Sequence, residues 1–297
     1  MFVRKKIDLL PITVILLIFA VDLLVFFFSP SKVLTLFWGS MSIYIKGFTC
    51  CVNHHHQHYK FFSAKWANRA IEFVMGLQTG VVGELWVLHH TLGHHQNYLD
   101  RVLDESGWQK DNGETMGVWE YTIIVGTTAY PRGIKVGQRY PREQKRLIQN
   151  IIITLVAIAL ATWYNWYNAL IVFILPMLIL LYATVFDTYK HHAGLDIEDP
   201  YQATYNIIDP TYNWFTCNLG YHTAHHLQCG KHWAELPTLH EQIKDKIPQH
   251  LYREAAFPFS QITKLTSFTR NQTATIHSSV RNIAIAKKFL FIAKVFK

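Results

Sequence analysis

Thirteen of the 17 histidines in this chain fall into four tight clusters, and each cluster stands just beyond a hydrophobic segment. The clusters read His54-His55-His56-Gln57-His58, His89-His90-Thr91-Leu92-Gly93-His94-His95, His191-His192 and His222-Thr223-Ala224-His225-His226. Imidazole is the commonest protein metal ligand, and its neutral nitrogen suits iron, zinc and copper. A chain built this way must fold so that four remote segments deliver nitrogen donors to one place. The pattern points to a polynuclear metal site held at a bilayer surface.

The segments between the clusters favour a membrane. Half of the 297 residues are hydrophobic and 16% are charged, against about 25% charged in a typical soluble domain. Residues 9–28 form an apolar run close to the ~20 residues that span a bilayer; residues 33–50, 147–163 and 168–186 are the other expected spans. The uncharged aromatic stretch Trp163-Tyr164-Asn165-Trp166-Tyr167-Asn168 suits an interface-anchored turn between the last two. Asp22 is out of place inside a span, because an acid there is costly. Residues 70–88 contain Glu72, Gln78 and Glu84, and read as one half-buried helix rather than a free span.

The net charge of +8 is explained by basic residues on the cytoplasmic side and does not call for nucleic acid. The expected outer turns carry one charged residue, Lys32, which puts both termini and every histidine cluster in the cytoplasm. The expected fold is an all-α integral membrane protein: four transmembrane helices in two hairpins under a cytoplasmic helical cap holding the metals. Residues 1–240 make the catalytic domain, and 241–297 a basic cytoplasmic segment. Its end, 279–297, with Arg281, Lys287, Lys288, Lys294 and Lys297, is amphipathic enough to lie on an anionic leaflet. Cys50, Cys51, Cys217 and Cys229 have no C-x-x-C spacing and read as reduced thiols.

Residues three and four apart share a helix face. His54 and His58, His90 and His94, and His222 with His225 and His226 have that spacing, and Asp187 stands four before His191. A single zinc takes four ligands, or three and water, so this many histidines implies two ions. His55, His56, His89 and His192 are expected to point elsewhere on their helices. His232, His240, His250 and His277 are isolated and expected to be solvated. Glu72, Glu84, Asp100, Asp104 and Asp199 are candidates to hold the outer nitrogens of the ligands, with nothing in the sequence to choose among them.

At these residues the chain resembles the integral-membrane fatty acid desaturases and their hydroxylase and alkane-monooxygenase relatives, with their three histidine boxes. The first box matches at His54 and His58, with Phe62 as the following aromatic, and the second at His90-x(3)-His94-His95, its gap closer to the alkane monooxygenase form. The third is Asn218-Leu219-Gly220-Tyr221-His222-Thr223-Ala224-His225-His226, followed by Leu236-Pro237-Thr238-Leu239. Asp187-x(3)-His191 matches the additional ligand, with Asp where relatives often carry Asn. The resemblance spans residues 10–240. It implies a non-haem di-iron centre ligated by His54, His58, His90, His94, His95, His191, His222, His225 and His226, with Asp187 or Asn218 as possible holders of a metal-bound water.

By that resemblance the chain is a dioxygen-dependent oxidoreductase that inserts a double bond into a fatty acyl chain, or hydroxylates an acyl or alkyl chain on the same site. Two irons (Fe2+/Fe3+) and O2 are the implied cofactor and cosubstrate. A lipid or acyl chain is the substrate, and a separate ferredoxin, rubredoxin or b-type cytochrome the electron donor. The basic residues across 132–146 offer such an acidic carrier a dock. The location is a multi-pass membrane protein, in the inner membrane if bacterial. Two remoter readings are a membrane zinc hydrolase, which lacks H-E-x-x-H here, and a metal transporter, which places ionisable ligands near the bilayer midplane, where 147–163 and 168–186 have no charge.

Overall fold

A computed structural model of the chain describes residues 2–195 and 198–267. Among them the architecture is helical, with three isolated β-bridges and no strand. The helices that carry the site are α1 (Leu9–Phe28), α2 (Lys32–His58), α3 (Lys65–Thr79), α4 (Gly83–His95), α5 (Val118–Gly137), α6 (Pro141–Ala169), α7 (Leu175–His192), α8 (Pro210–Phe215), α9 (His222–Leu227) and α10 (Leu236–Ile243). A last helix covers 259–267. The segment 279–297 and His277 lie outside the described residues.

Among the described residues two stretches are long and apolar enough to cross a membrane, Lys6–Phe28 and Pro141–His192. Their outer faces carry Leu10, Leu17, Leu24, Ile152, Leu155 and Leu160 uncovered, as a helix apolar all round does in lipid. A third crossing is made if α3 and α4, bent by 81°, count as one broken span. The sequence reading of 70–88 as one helix does not hold. Gly80 ends α3 in the left-handed conformation, φ +72°, which a glycine adopts without penalty. A Cβ there would come within 2.1 Å of the Met177 carbonyl.

The aromatic stretch 163–168 does break the helix. Asn165 leaves helical geometry (φ −152°, ψ 92°), and its side chain caps the next turn by accepting from Asn168 N at 3.1 Å. Asn168 then donates to Phe26 O at 2.9 Å and accepts from Thr35 Oγ1 at 3.3 Å, so this turn is tied to the Ser29-Pro30-Ser31 turn between α1 and α2.

Asp22 faces the helix bundle. Its carboxylate lies 2.9 Å from Lys46 Nζ of α2 and accepts from Trp38 Nε1 at 2.9 Å; both charged side chains are fully buried. Lys46 also donates to Val172 O at 3.0 Å. Val172 belongs to a π-helical turn, Leu170–Ile174, between α6 and α7. Close approach of α2 to this turn needs Gly39, where a Cβ would lie 2.4 Å from Ile171 Cγ2. An ion pair in an apolar interior is tolerable only when its remaining hydrogen-bonding capacity is met, and here an indole and a backbone carbonyl contribute to meeting it.

Ile12, Ile15, Val52, Phe61, Ile71 and Met75 pack α1, α2 and α3 together. Ala224, Leu239, Ile243, Ile247 and Leu251 form the core of the cap. Phe2–Asp8 folds back onto the cap, where Asp8 accepts from Trp233 Nε1 at 2.9 Å, lies 2.9 Å from His232 Nε2, and Lys5 pairs with Glu235. That corrects the reading of His232 as solvated: it is 2% exposed. His240 is also buried, against Tyr252, whereas His250 is exposed.

Removing one partner of a buried pair costs about 3–5 kcal/mol. Asp22→Ala is therefore expected to destabilise the protein by about that much, and Asp22→Leu combined with Lys46→Met to recover most of it. Denaturant unfolding of the detergent-solubilised protein measures both; an equal loss in single and double variants would count against the pair.

Candidate metal centre

The last two turns of α2 put His54 and His58 on one face, ring centroids 5.1 Å apart. The second cluster behaves differently, because Trp86–His95 of α4 is wound as a π-helix. The wider turn brings residues five apart into register. His90 and His95 therefore converge, Nε2 to Nε2 at 3.1 Å, and His94 is directed elsewhere. The α-helical pairing of His90 with His94 expected from spacing does not form the nearest contact. Gly93 permits the winding, since a Cβ there would lie 2.9 Å from Glu105 Cγ and 3.0 Å from Leu88 O.

α9 crosses beneath both clusters. His225 Nε2 lies 2.7 Å from His54 Nε2 and 3.0 Å from His95 Nε2. The donor atoms of His54, His58, His90, His95 and His225 all lie within 4.8 Å of one another, and those of His94, His192 and His226 form a second such group. His222 Nε2 sits 3.0 Å from His192 Nε2, at the edge of the second group. The rings of His95 and His226 stack at 4.1 Å between the groups. His191 stacks on His222 at 4.2 Å, and its Nε2 is 3.3 Å from Tyr212 Oη and 3.7 Å from Asp187 Oδ2.

So the structure brings eight of the nine expected histidines into these two groups or their edge, sets His191 beside Asp187 and Tyr212, and adds His192. Sequence reasoning left His192 outside. The only available signal was its adjacency to His191, and two neighbours at a helix C-terminus cannot be ranked without knowing the rotation of α7. His89 lies on a second cavity with Tyr121 and Ser106. Asn218 does not reach the rings through a contact: it donates to Trp233 O at 3.2 Å, and its φ of +66° turns the chain into α9.

These rings are short of partners. His58 Nε2, His95 Nδ1, His222 Nδ1 and both nitrogens of His226 are buried with no hydrogen bond. A neutral imidazole carries one N–H, so nitrogens that face each other across about 3 Å leave lone pairs pointing into a common space. Burial, and then the repulsion of neighbouring rings, holds His222, His225 and His226 well below the ordinary histidine pKa, as free bases. A set of neutral nitrogen donors with orphaned lone pairs fits two cations of the iron, zinc or copper type.

Outer contacts fix some of the rings. His94 Nδ1 is 2.7 Å from Asp104 Oδ1, and Asp104 also accepts from Ser106 N. The loop that carries it is held by Arg132, which donates to Glu105 O at 2.7 Å, and by Tyr121, which donates to Ser106 O at 3.0 Å. His192 Nδ1 faces Ala203 O and His191 Nδ1 faces Tyr205 O, each at 3.3 Å. Of the other acids considered, Glu72 contacts His56, outside both groups, Glu84 takes Asn150, and Asp100 and Asp199 cap turns.

A helical membrane protein with apolar spans and two buried multi-histidine groups is the class defined by this fold and site. Residues 30–258 match the sequence profile of the family described as Fatty acid desaturase, and the chain belongs to that family. No curated protein and no solved structure matches it significantly.

Loss of an outer carboxylate typically weakens a metal site 10- to 100-fold. Asp104→Asn is expected to lower affinity for the metal held by the second group by about 10- to 100-fold and leave the first group loaded. Metal content after graded chelation tests this; identical release curves in wild type and variant would remove Asp104 from that role.

Proposed function

We propose that the protein is a di-iron, dioxygen-dependent oxidoreductase that introduces a double bond into a fatty acyl chain at the membrane. The observation that carries the reading is the pair of buried histidine groups at the inner wall of an apolar cavity, in a chain of the desaturase family. His54, His58, His90, His95 and His225 would hold one iron; His94, His192, His222 and His226 the other. His191 stands at the edge with Asp187, the better placed of the two acid or amide candidates to hold a water. When bound, iron would supply the reductive activation of dioxygen and the removal of hydrogen from an unactivated methylene. One dioxygen, two electrons and two protons, with two hydrogens from the chain, leave as two waters and a double bond.

The residues of this chain position and shield that reaction. The cavity, about 220 Å³, runs between α2, α7 and α8 and is walled by Cys50, Ala183, Thr184, Phe215, His54 and His222. Its lining is mainly apolar, which holds a hydrocarbon chain and keeps water from the metals. Trp86 closes one side with its indole 4.7 Å from the His90 ring, so the chain must pass beside the first group. A second cavity continues past Trp86 toward Tyr121 and Val125.

Four spans, with α2 as the second, and a cytoplasmic cap are the topology that this reading uses. Electrons would come from an acidic carrier, a ferredoxin, rubredoxin or b-type cytochrome. The exposed Lys135, Arg139, Arg142 and Lys145 support a dock. Tyr140, between two of these arginines, donates to Gln96 Oε1 at 3.3 Å, and Gln96 directly follows His95.

Expression in a host lacking the activity, with lipid mass spectrometry and metal analysis, tests the reading. Wild type is expected to give a new double bond and about two irons per chain; His225→Ala to lose the product and iron; and His250→Ala, on the surface, to keep both. A hydroxylated product would assign the site to the hydroxylase branch, and zinc alone with no lipid product would overturn the proposal.

A further inference from the structure

The far end of the cavity from the histidines is not in the cap. Gly47 precedes His54 on α2 by seven residues and Ala183 precedes His191 on α7 by eight, and both line the cavity. At about 1.5 Å per residue they lie roughly 10–12 Å from the metal-facing rings, along helices leading away from the cap. Ala183 is exposed although it lines the cavity, and Gly47, Cys50, Cys51 and Thr184 are part-exposed. The cavity therefore reaches the outer surface between α2 and α7. Around that opening the outward side chains are Tyr44, Leu178 and Ile179, all exposed, as on a lipid-facing surface.

The part of the cap that frames the opening is also built for lipid. Phe215 of α8 packs on Tyr44 and Phe48 of α2 at 5.8 and 6.0 Å, so α8 lies alongside the span rather than above it. Phe259 of the helix over 259–267 packs on Phe215 at 5.3 Å and Tyr212 at 5.4 Å. Beside them Trp214 is 73% exposed, Phe257 81% and Leu265 66%. Three large apolar side chains uncovered on this part of the cap would be a liability in water. In the headgroup and upper acyl region they anchor the segment. On the opposite side of the rings Tyr98 packs on His226 at 4.6 Å, and the cap core closes over α9.

From this geometry we infer that the cavity is loaded sideways from the bilayer, through the gap between Gly47, Ala183 and Phe215, and that its substrate is a chain carried by a membrane-resident lipid rather than by a soluble acyl thioester. The inference rests on the reading of the cavity as the substrate site. The chain would slide in without leaving the apolar phase, with its carrier group staying at the interface near Trp214 and Phe257.

The test uses the full protein in nanodiscs and two photoactivatable probes with a diazirine near the chain end: a phosphatidylcholine in the bilayer, and an acyl-CoA added from water. The phospholipid probe is expected to label peptides holding Cys50, Trp86 or Thr184, and the acyl-CoA to label them at least tenfold less. Ala183→Trp fills the mouth from an exposed position with no core to disrupt. It is expected to cut that labelling at least tenfold while labelling of the lipid-facing 155–163 surface stays unchanged. Gly47→Leu is the second variant, since a Cβ at Gly47 meets only the Phe215 ring, at 3.9 Å, and the same loss is expected. Labelling of the cavity by acyl-CoA at or above the phospholipid level, or full phospholipid labelling in both variants, would overturn lateral loading. Labelling requires neither metal nor turnover, so this outcome is separate from the iron and product measurements that decide the reaction itself.

Discussion

The constraint on which the rest of this structure depends is the burial of a layer of uncharged imidazoles that face one another. Each buried polar group left without a hydrogen bond costs about 1–3 kcal/mol in proteins, and five ring nitrogens in this layer have none. Their combined cost, about 5–15 kcal/mol on that scale, is as large as the whole stability of an ordinary domain. The apolar cores on either side can hold the rings in place but cannot satisfy their lone pairs. Two cations would take up the inward-facing lone pairs, one nitrogen from each ring, and apparent binding energies of about 10–16 kcal/mol for structural zinc are large on this scale. The folding of α9 and of the cap core behind it is in that sense coupled to the metals it would hold.

Two π-helical turns meet this constraint in complementary ways. In Trp86–His95 the wider winding separates the ligands of one short segment, sending His90 and His95 to one group and His94 to the other. A regular α-helix would place His90 and His94 together and leave the second group with one donor fewer. In Leu170–Ile174 the turn brings the Val172 carbonyl to Lys46, whose ammonium also pairs with Asp22. This sets the height of α2 against α1 and α7. The register of α2 decides where His54 and His58 stand, and that of α7 where His191 and His192 do. The buried ion pair and the histidine layer are thus two ends of one alignment.

How much of this could be read in the sequence depends on how local the deciding interaction is. α1 was legible because a 20-residue apolar run with no polar face has few other fates. His54 and His58 were legible because their segment is an ordinary α-helix with period 3.6. The partners of His90 and His94 were not, because π winding changes the period and leaves no local trace beyond a glycine. Asp22 looked anomalous alone, but its partner Lys46 stands on another helix, across a turn. Asp104 could not be separated from four other acids because the loop that delivers it is held from α5 by Arg132 and Tyr121. His232 looked solvated for the same reason in reverse: its partner, Asp8, is 224 residues away.

The histidine layer also divides the molecule functionally. On one side lie the apolar cavity and the phenylalanines beside it; on the other lie Tyr98, Gln96 and the arginines that flank Tyr140. In the proposed reaction an oxidant at such a layer would have to be kept from water while it waits for a chain, and would have to receive electrons from a separate carrier. One compact cap satisfies both demands only if each ring presents one nitrogen to the metals and the other to protein that excludes solvent. The contacts of His94 to Asp104, His192 to Ala203 and His191 to Tyr205 follow that rule. His95, His222 and His226 do not, since the Nδ1 of each is buried without a partner. Those three rings are ones whose orientation the metals themselves would have to set.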